Sequence, residues 1–260
     1  MIGKAREPVT HLSQAFPDRV EVRGRDLTGD LMGRLTFTEY VHFLLTGEGP
    51  TEEQRYVLDL VLVALAEHGM MPTNVAARMT LAAAPDSLQG AVAAGILGAG
   101  TVVLGTSTAC AQLLEQMQER VVVGESPGAV ARDVAQDVHA AGGRVPGFGH
   151  PVHKPVDPRA ERIFELADER GASGPHIALA RALQEAVAAV WCKPLALNVS
   201  MAIAAVMLDV GLPVAAVRAV PILARTASLL AHLAEEEEHP LGFLMASRAE
   251  EAIEYRPRLD

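Results

Sequence analysis

Between Arg144 and Arg162 the chain gathers Arg144, Lys154, Arg159, Arg162, His150 and His153 against only Asp157 and Glu161, although its formal net charge is −10. A local excess of cationic donors of this kind suits an anionic ligand. Gly147 and Gly149 let the backbone approach that ligand closely, and Pro146, Pro151, Pro155 and Pro158 restrict the loop, which lowers the entropy cost of holding a site. Histidine exchanges protons near neutral pH, so His150 and His153 are candidates for acid–base work; a loop histidine satisfied by backbone partners is the plainer alternative for His150. A metal is a further alternative. Proline at 151 and 155 prevents a regular helix and no third ligand is evident, so no metal site is expected. Cys110 and Cys192 both lie in apolar helical context and read as buried structural thiols rather than nucleophiles.

The elements that must position this loop are helical. Thr36 and Glu39 form a capping-box pattern ahead of Tyr40, Val41, Phe43, Leu44 and Leu45, and Gly47, Gly49 and Pro50 end that helix. Thr51, Glu52 and Glu53 start a second helix that runs to about Glu67 and closes at His68-Gly69; a third runs from Pro72 to Ala84, stopped by Pro85-Asp86. Ser87 to Leu114 carries no charged residue and is diluted by glycine, threonine and alanine, so it is expected to form the central buried helix rather than a membrane span. Ser126-Pro127 starts a helix with apolar Val130, Val134 and Val138, ended by Gly142-Gly143. Beyond the loop, helices are expected from Pro158 to Arg170, Pro175 to Val190, Leu197 to Val210 and Pro213 to Glu236, and Val22 to Leu31 reads as turn-rich.

The composition agrees with an all-α fold, since hydrophobic residues make up 50% of the 260 residues and aromatics only 4%. One domain over residues 1–260 is expected, with room for a small lobe. The acidic balance argues against nucleic acid as a partner, because a phosphate backbone demands clustered Lys and Arg. A small molecule is the expected partner. Two cysteines and no basic-then-apolar leader point to a cytoplasmic location.

The run PGFGHPVHKPVDPRA from Pro146 to Ala160 is similar to the catalytic loop of the citrate synthase superfamily, PGFGHRVYKxxDPRA. Other segments resemble that family in the same order. Leu44 to Pro50 looks like its LLTGExP turn, Glu67-His68 ends the helix that follows, Ala224-Arg225-Thr226 with Ala231-His232 resembles ARTxGxxAH with Ser228 in place of glycine, and Arg256-Pro257-Arg258 resembles RPR. The short citryl-CoA lyase type and the lyase domain of ATP-citrate lyase are the most similar subgroup. The resemblance implies a multi-helix fold, a homodimer, and coenzyme A as substrate or product without a metal. It implies that His150 contacts the oxygen of an oxo-acid, that His68, Arg159, Arg225 and Arg256 bind the polycarboxylate, and that Gly147, Phe148, Gly149 and Lys154 seat coenzyme A. Two catalytic positions differ from the family: Thr108 stands where a GPxHGGA histidine is usual, and Ser200 where an aspartate follows Asn-Val. A hydroxyl donates a hydrogen bond but does not serve as a carboxylate base, so the expectation is altered chemistry on a related acyl-CoA, forming or cleaving a carbon–carbon bond, or a non-catalytic binding paralogue.

Overall fold

The computed structural model describes residues 8–150 and 152–258, so Pro151 of the loop lies outside the described residues. The chain is all-α apart from a small three-stranded sheet, and it divides into two compact units that meet in sequence at Asp59 and Leu60.

In the first unit, β1 (Ser13–Ala15), β2 (Val20–Val22) and β3 (Arg25–Asp26) form an antiparallel meander, with Gln14 opposite Glu21 and Val22 opposite Arg25. This sheet differs from the turn-rich segment expected at Val22 to Leu31, because strands of two or three residues are too short to show an alternating pattern. A π-helical turn at Leu27–Leu31 follows, then α1 (Phe37–Thr46). The capping box at the start of α1 is formed: the Glu39 amide donates to the Thr36 hydroxyl, and the Thr36 amide donates to the Glu39 carboxylate at 2.7 Å. Val22, Leu31 and Phe43 make the small core of this unit.

The next helix, α2 (Glu52–Ala66), begins in the first unit and ends in the second. The second unit continues with α3 (Pro72–Ala83), α4 (Leu88–Leu97), α5 (Thr106–Val122), α6 (Pro127–Ala140), α7 (Pro158–Glu169), α8 (Pro175–Val190), α9 (Val199–Asp209), α10 (Val214–Glu238) and α11 (Gly242–Ala252). The apolar stretch from Ser87 to Leu114 is therefore not one helix. It breaks between Leu97 and Thr106, where Gly98, Gly100 and Gly105 supply no side chain to hold a helical turn against its surroundings. Its small residues still serve close packing: a Cβ added at Gly95 would stand 2.8 Å from a methyl of Leu229 on α10 and 2.9 Å from the carbonyl of Thr73 on α3.

Around α9 the second unit is densest. Every residue from Met201 to Leu208 is buried, enclosed by α5, α7, α8 and α10, so α9 has no solvent face. Leu229 and Leu233 of α10 pack with Ala77 and Leu81 of α3 and Ala91 of α4. By length and hydropathy α10 is the one described helix able to cross a bilayer, but its buried face and its packing against α3, α4, α5 and α9 are those of a core helix. Cys110 is buried as expected, whereas Cys192 is exposed, since α8 ends at Val190 and Cys192 sits in the turn beyond with φ of 53°.

Candidate functional site

A cleft of about 560 Å³ opens in the second unit, walled by His68 and Leu65, by the 102–107 turn, by residues Arg144 to His150, by Arg159, by Asn198 to Ser200 and by Arg225. Four sequence-distant stretches thus converge on the 144–159 loop.

The loop is held by the strand-like segment ahead of α9. Gly149 N donates to the carbonyl of Ala196 at 2.7 Å, Asn198 N donates to the carbonyl of Gly147 at 2.9 Å, and the Asn198 side-chain amide donates to the carbonyl of Gly149 at 2.9 Å. Gly147 is required twice over: its φ is +82°, and a Cβ there would stand 2.7 Å from Cβ of Met201 and 2.8 Å from Sγ of Cys110. Asn198 also caps α9, accepting from Ser200 N, so Ser200 lies in the first turn of a helix whose N-terminus faces the cleft.

Asp157 is the joint between two helices. Its fully buried carboxylate caps α7 by accepting from Arg159 N, accepts from Val199 N at the start of α9, and takes Nε and Nη2 of Arg159 at 3.0 and 2.9 Å. Burial works to raise the pKa of this carboxyl group, but the Arg159 guanidinium and the two amides hold it below the usual carboxylate value. Arg159 is thereby fixed in the cleft wall with its charge partly answered. Arg225 is answered only at a distance, by the charge of Glu67. Only 4% exposed, it has Nε and Nη1 without a hydrogen-bond partner among the described residues, and burial pushes its pKa down.

A further wall is carried by the end of α2. One Glu67 oxygen accepts from the amides of His68 and Gly69, while the other accepts from the Ser228 hydroxyl and from Nε2 of His232 at 3.0 Å. His232 in turn accepts at Nδ1 from the buried Arg78, which ion-pairs with Glu235 and Glu236. A buried polar network anchored on α3 and α10 therefore sets the backbone that carries His68.

His68 and His150 line the cleft, and the ring of His153 meets both. Their rings lie with centroids 4.4 to 5.5 Å apart, and Nε2 of His68 stands 3.2 Å from Nε2 of His153. Nδ1 of His150 accepts from the amides of Val152 and His153 at 3.1 and 2.9 Å, so the hydrogen of the neutral ring belongs on Nε2. Burial lowers the pKa of His68 and His150, helped by Arg159 and His153, which favours the neutral form of both rings. The expectation that a third ligand is lacking is corrected: His68, distant in sequence, joins the two loop histidines, with one ring nitrogen from each lying within 4.8 Å of the others.

Residues 21–243 match the family model of the citrate synthase C-terminal domain. The chain belongs to the citrate synthase family. It is 28% identical over 218 residues to putative citrate synthase 2 of Mycobacterium tuberculosis, covering 82% of this chain and 55% of that one. It is 24% identical over 199 residues to the citrate synthase of Haloferax volcanii, covering 75% and 50%. The chain thus spans about half the length of the curated relatives it matches. Among solved structures, citryl-CoA lyase from Hydrogenobacter thermophilus superposes with a TM-score of 0.85 at 29% identity, covering 98% of this chain and 96% of that one. ATP citrate lyase from Methanothrix soehngenii, solved with citrate and coenzyme A, gives 0.77 at 18% identity over 100% of this chain and 43% of that one, a likeness of fold.

Of the positions read from the citrate synthase resemblance, the cleft brings together His68, Gly147, Phe148, Gly149, His150, Arg159, Ser200 and Arg225. Three do not line it. Thr108 is turned inward with its hydroxyl buried and unpartnered among the described residues, and Thr106 and Ser107 line the wall instead, because each helical residue turns about 100° from the last. Lys154 is exposed outside the cleft, and Arg256 is an exposed tail residue paired with Glu254 at 2.7 Å. Sequence spacing does not assign Asp157, Asn198, Glu67 and His153 these positioning roles. The Asn-Val and DPR motifs marked where the first two sit, but the contacts that join them span the fold.

Proposed function

We propose that this chain binds a coenzyme A thioester together with a polycarboxylate, and makes or breaks a carbon–carbon bond in citryl-CoA or a related 2-hydroxy or 2-oxo polycarboxylate thioester. The observation that carries this reading is Arg225, a buried guanidinium with two nitrogen atoms lacking a hydrogen-bond partner among the described residues, in the wall of a cleft shared with Arg159, His68 and His150. A buried charge left without a hydrogen-bond partner is costly, and a carboxylate answers it with a bidentate pair. Citryl-CoA lyase from H. thermophilus, similar over nearly its whole length, supports the choice of substrate class.

In this reading the N-terminus of α9 and the two arginines hold the carboxylates. His150, with Nε2–H outward, donates to the carbonyl or hydroxyl oxygen beside the reacting carbon and steadies charge as it gathers there. The Gly147 to Gly149 backbone, zipped to 196–198, offers coenzyme A a surface without side chains at two of three positions. A second copy of the chain is part of the proposal, since Arg256 does not line the cleft of its own chain.

Citryl-CoA incubated with the protein should release acetyl-CoA and oxaloacetate, measured by liquid chromatography and mass spectrometry, and His150→Ala should reduce the rate at least about 100-fold. Absence of coenzyme A binding by calorimetry together with unchanged citryl-CoA would end the proposal. A non-catalytic binding role is favoured by one observation: no aspartate or glutamate is among the residues lining the cleft. If Ser200→Asp gains turnover over an inactive parent while coenzyme A affinity stays the same, that second reading stands.

A further inference from the structure

We infer that His68, His150 and His153 form a binding site for a divalent transition metal of the imidazole-preferring class, such as Zn²⁺ or Co²⁺, with an open position facing the cleft. This inference goes beyond the proposed function and stands on the three rings alone.

The His68–His153 edge is already at metal-binding spacing. Two nitrogens bound at about 2.0 to 2.1 Å around a tetrahedral ion stand about 3.3 Å apart, and the Nε2 atoms of these residues are 3.2 Å apart. One hydrogen bond between them uses one lone pair and one N–H; an ion uses both lone pairs. The three rings come from two places, the end of α2 and the loop ahead of α7, so the ion would tie the loop to the helical body. The backbone under His68 is fixed by Glu67, whose carboxylate accepts from the amides of His68 and Gly69.

His150 is the ring that must adjust. The three candidate nitrogens lie within 4.8 Å of one another, so the third has to close in, and ligation releases the two amides of Val152 and His153 from its Nδ1. Two hydrogen bonds to a neutral ring are the weaker interaction beside a metal–imidazole bond. Donation from Nε2–H and ligation of the ion therefore exclude one another, and the bound ion takes over the polarising of an oxygen as a Lewis acid. The nearby guanidinium of Arg225 selects the ligand class for the open position, a carboxylate or carbonyl oxygen rather than a neutral amine.

Titration of the chelator-treated full chain with Co²⁺, without any coenzyme A compound, tests the site apart from the proposed function. The expected result is one Co²⁺ per chain with the intense visible absorption of four-coordinate Co²⁺, displaced by Zn²⁺. Affinity should fall at least about tenfold in His153→Ala and in His68→Gln, each checked for native helicity by circular dichroism, and stay unchanged in His239→Ala, an exposed histidine. Pale six-coordinate spectra, or equal affinity across all three variants, would overturn the inference. Should one ligand variant fail to fold, the other carries the comparison. Failure here would leave citryl-CoA binding untouched.

Discussion

The Asp157 carboxylate, fully buried, takes both Nε and Nη2 of Arg159, at 3.0 and 2.9 Å, while accepting the first free amide of α9. One side chain thus sets a ligand-facing arginine and the start of the helix beneath it. Removing it by Asp157→Ala leaves Arg159 and two helix amides without a partner, and the expected loss is about 3 kcal/mol, read by urea denaturation. Because this carboxyl group titrates below its usual value of 3.8 when folded, its stabilisation is present above that pH and is lost as pH falls through the lower folded value. The variant should therefore show a shallower loss of stability on acidification than the parent.

Arg225→Met should separate stability from binding. Burial of an unpartnered guanidinium opposes folding, so an apolar side chain of similar length is expected to stabilise the ligand-free protein by about 1 to 3 kcal/mol while affinity for citrate or citryl-CoA falls at least about tenfold. Thermal melts paired with calorimetry check both directions. A destabilised variant with intact citrate affinity would mean that Arg225 is structural.

Gly147→Ala should damage the site by strain rather than by loss of a group. The added Cβ would enter a left-handed conformation and stand 2.7 Å from Cβ of Met201, so a cost of about 2 to 3 kcal/mol is expected, measured by urea denaturation. Gly149→Ala shares the positive φ of +84° but has no atom within 4 Å, and should cost about 1 kcal/mol.

A thiol reagent such as dithionitrobenzoate should modify about one thiol per folded chain, at Cys192. Burial pushes the Cys110 thiol up to about 12, so it stays protonated and inaccessible through ordinary assay pH, whereas Cys192 is exposed. Unfolding in urea should release the second thiol, and Cys192→Ser should abolish labelling of the native protein.

Ser228 occupies the position where the resemblance has glycine, and its hydroxyl donates to Glu67 beside His68. Ser228→Ala should cost about 1 kcal/mol or less, since the Glu67 side chain is half exposed, with the effect appearing mainly as weaker ligand binding through a looser His68. Isothermal titration with citrate for parent and variant checks it.

The helices were legible where the chain carries punctuation. Ser126-Pro127 and Pro175 mark the starts of α6 and α8, and Thr36 with Glu39 marks α1. The structure departs from the reading where punctuation is weak: α11 starts at Gly242 with no side-chain cap, and the break inside the apolar stretch depends on glycines that a helix also tolerates for close packing. The site was legible as motifs but not as a constellation. That Arg225 would be buried without a partner, and that His68 would meet His153, depend on how α2, α10 and the loop pack, which local spacing does not carry. The one-residue shift from Thr108 to Ser107 in the cleft wall reflects the start of α5, a helix end without a side-chain cap to announce it.

The burial of α9 on every side has a kinetic meaning. Amides with no solvent face and no fraying end exchange their hydrogens only when the second unit opens as a whole, so residues 201–208 should be the slowest to take up deuterium. Ser200 and Asn198 hang from that slow segment, which ties one wall of the cleft to global unfolding, whereas Val152 and Lys154, exposed beyond the cleft on the stretch that follows His150, are free to open far more often.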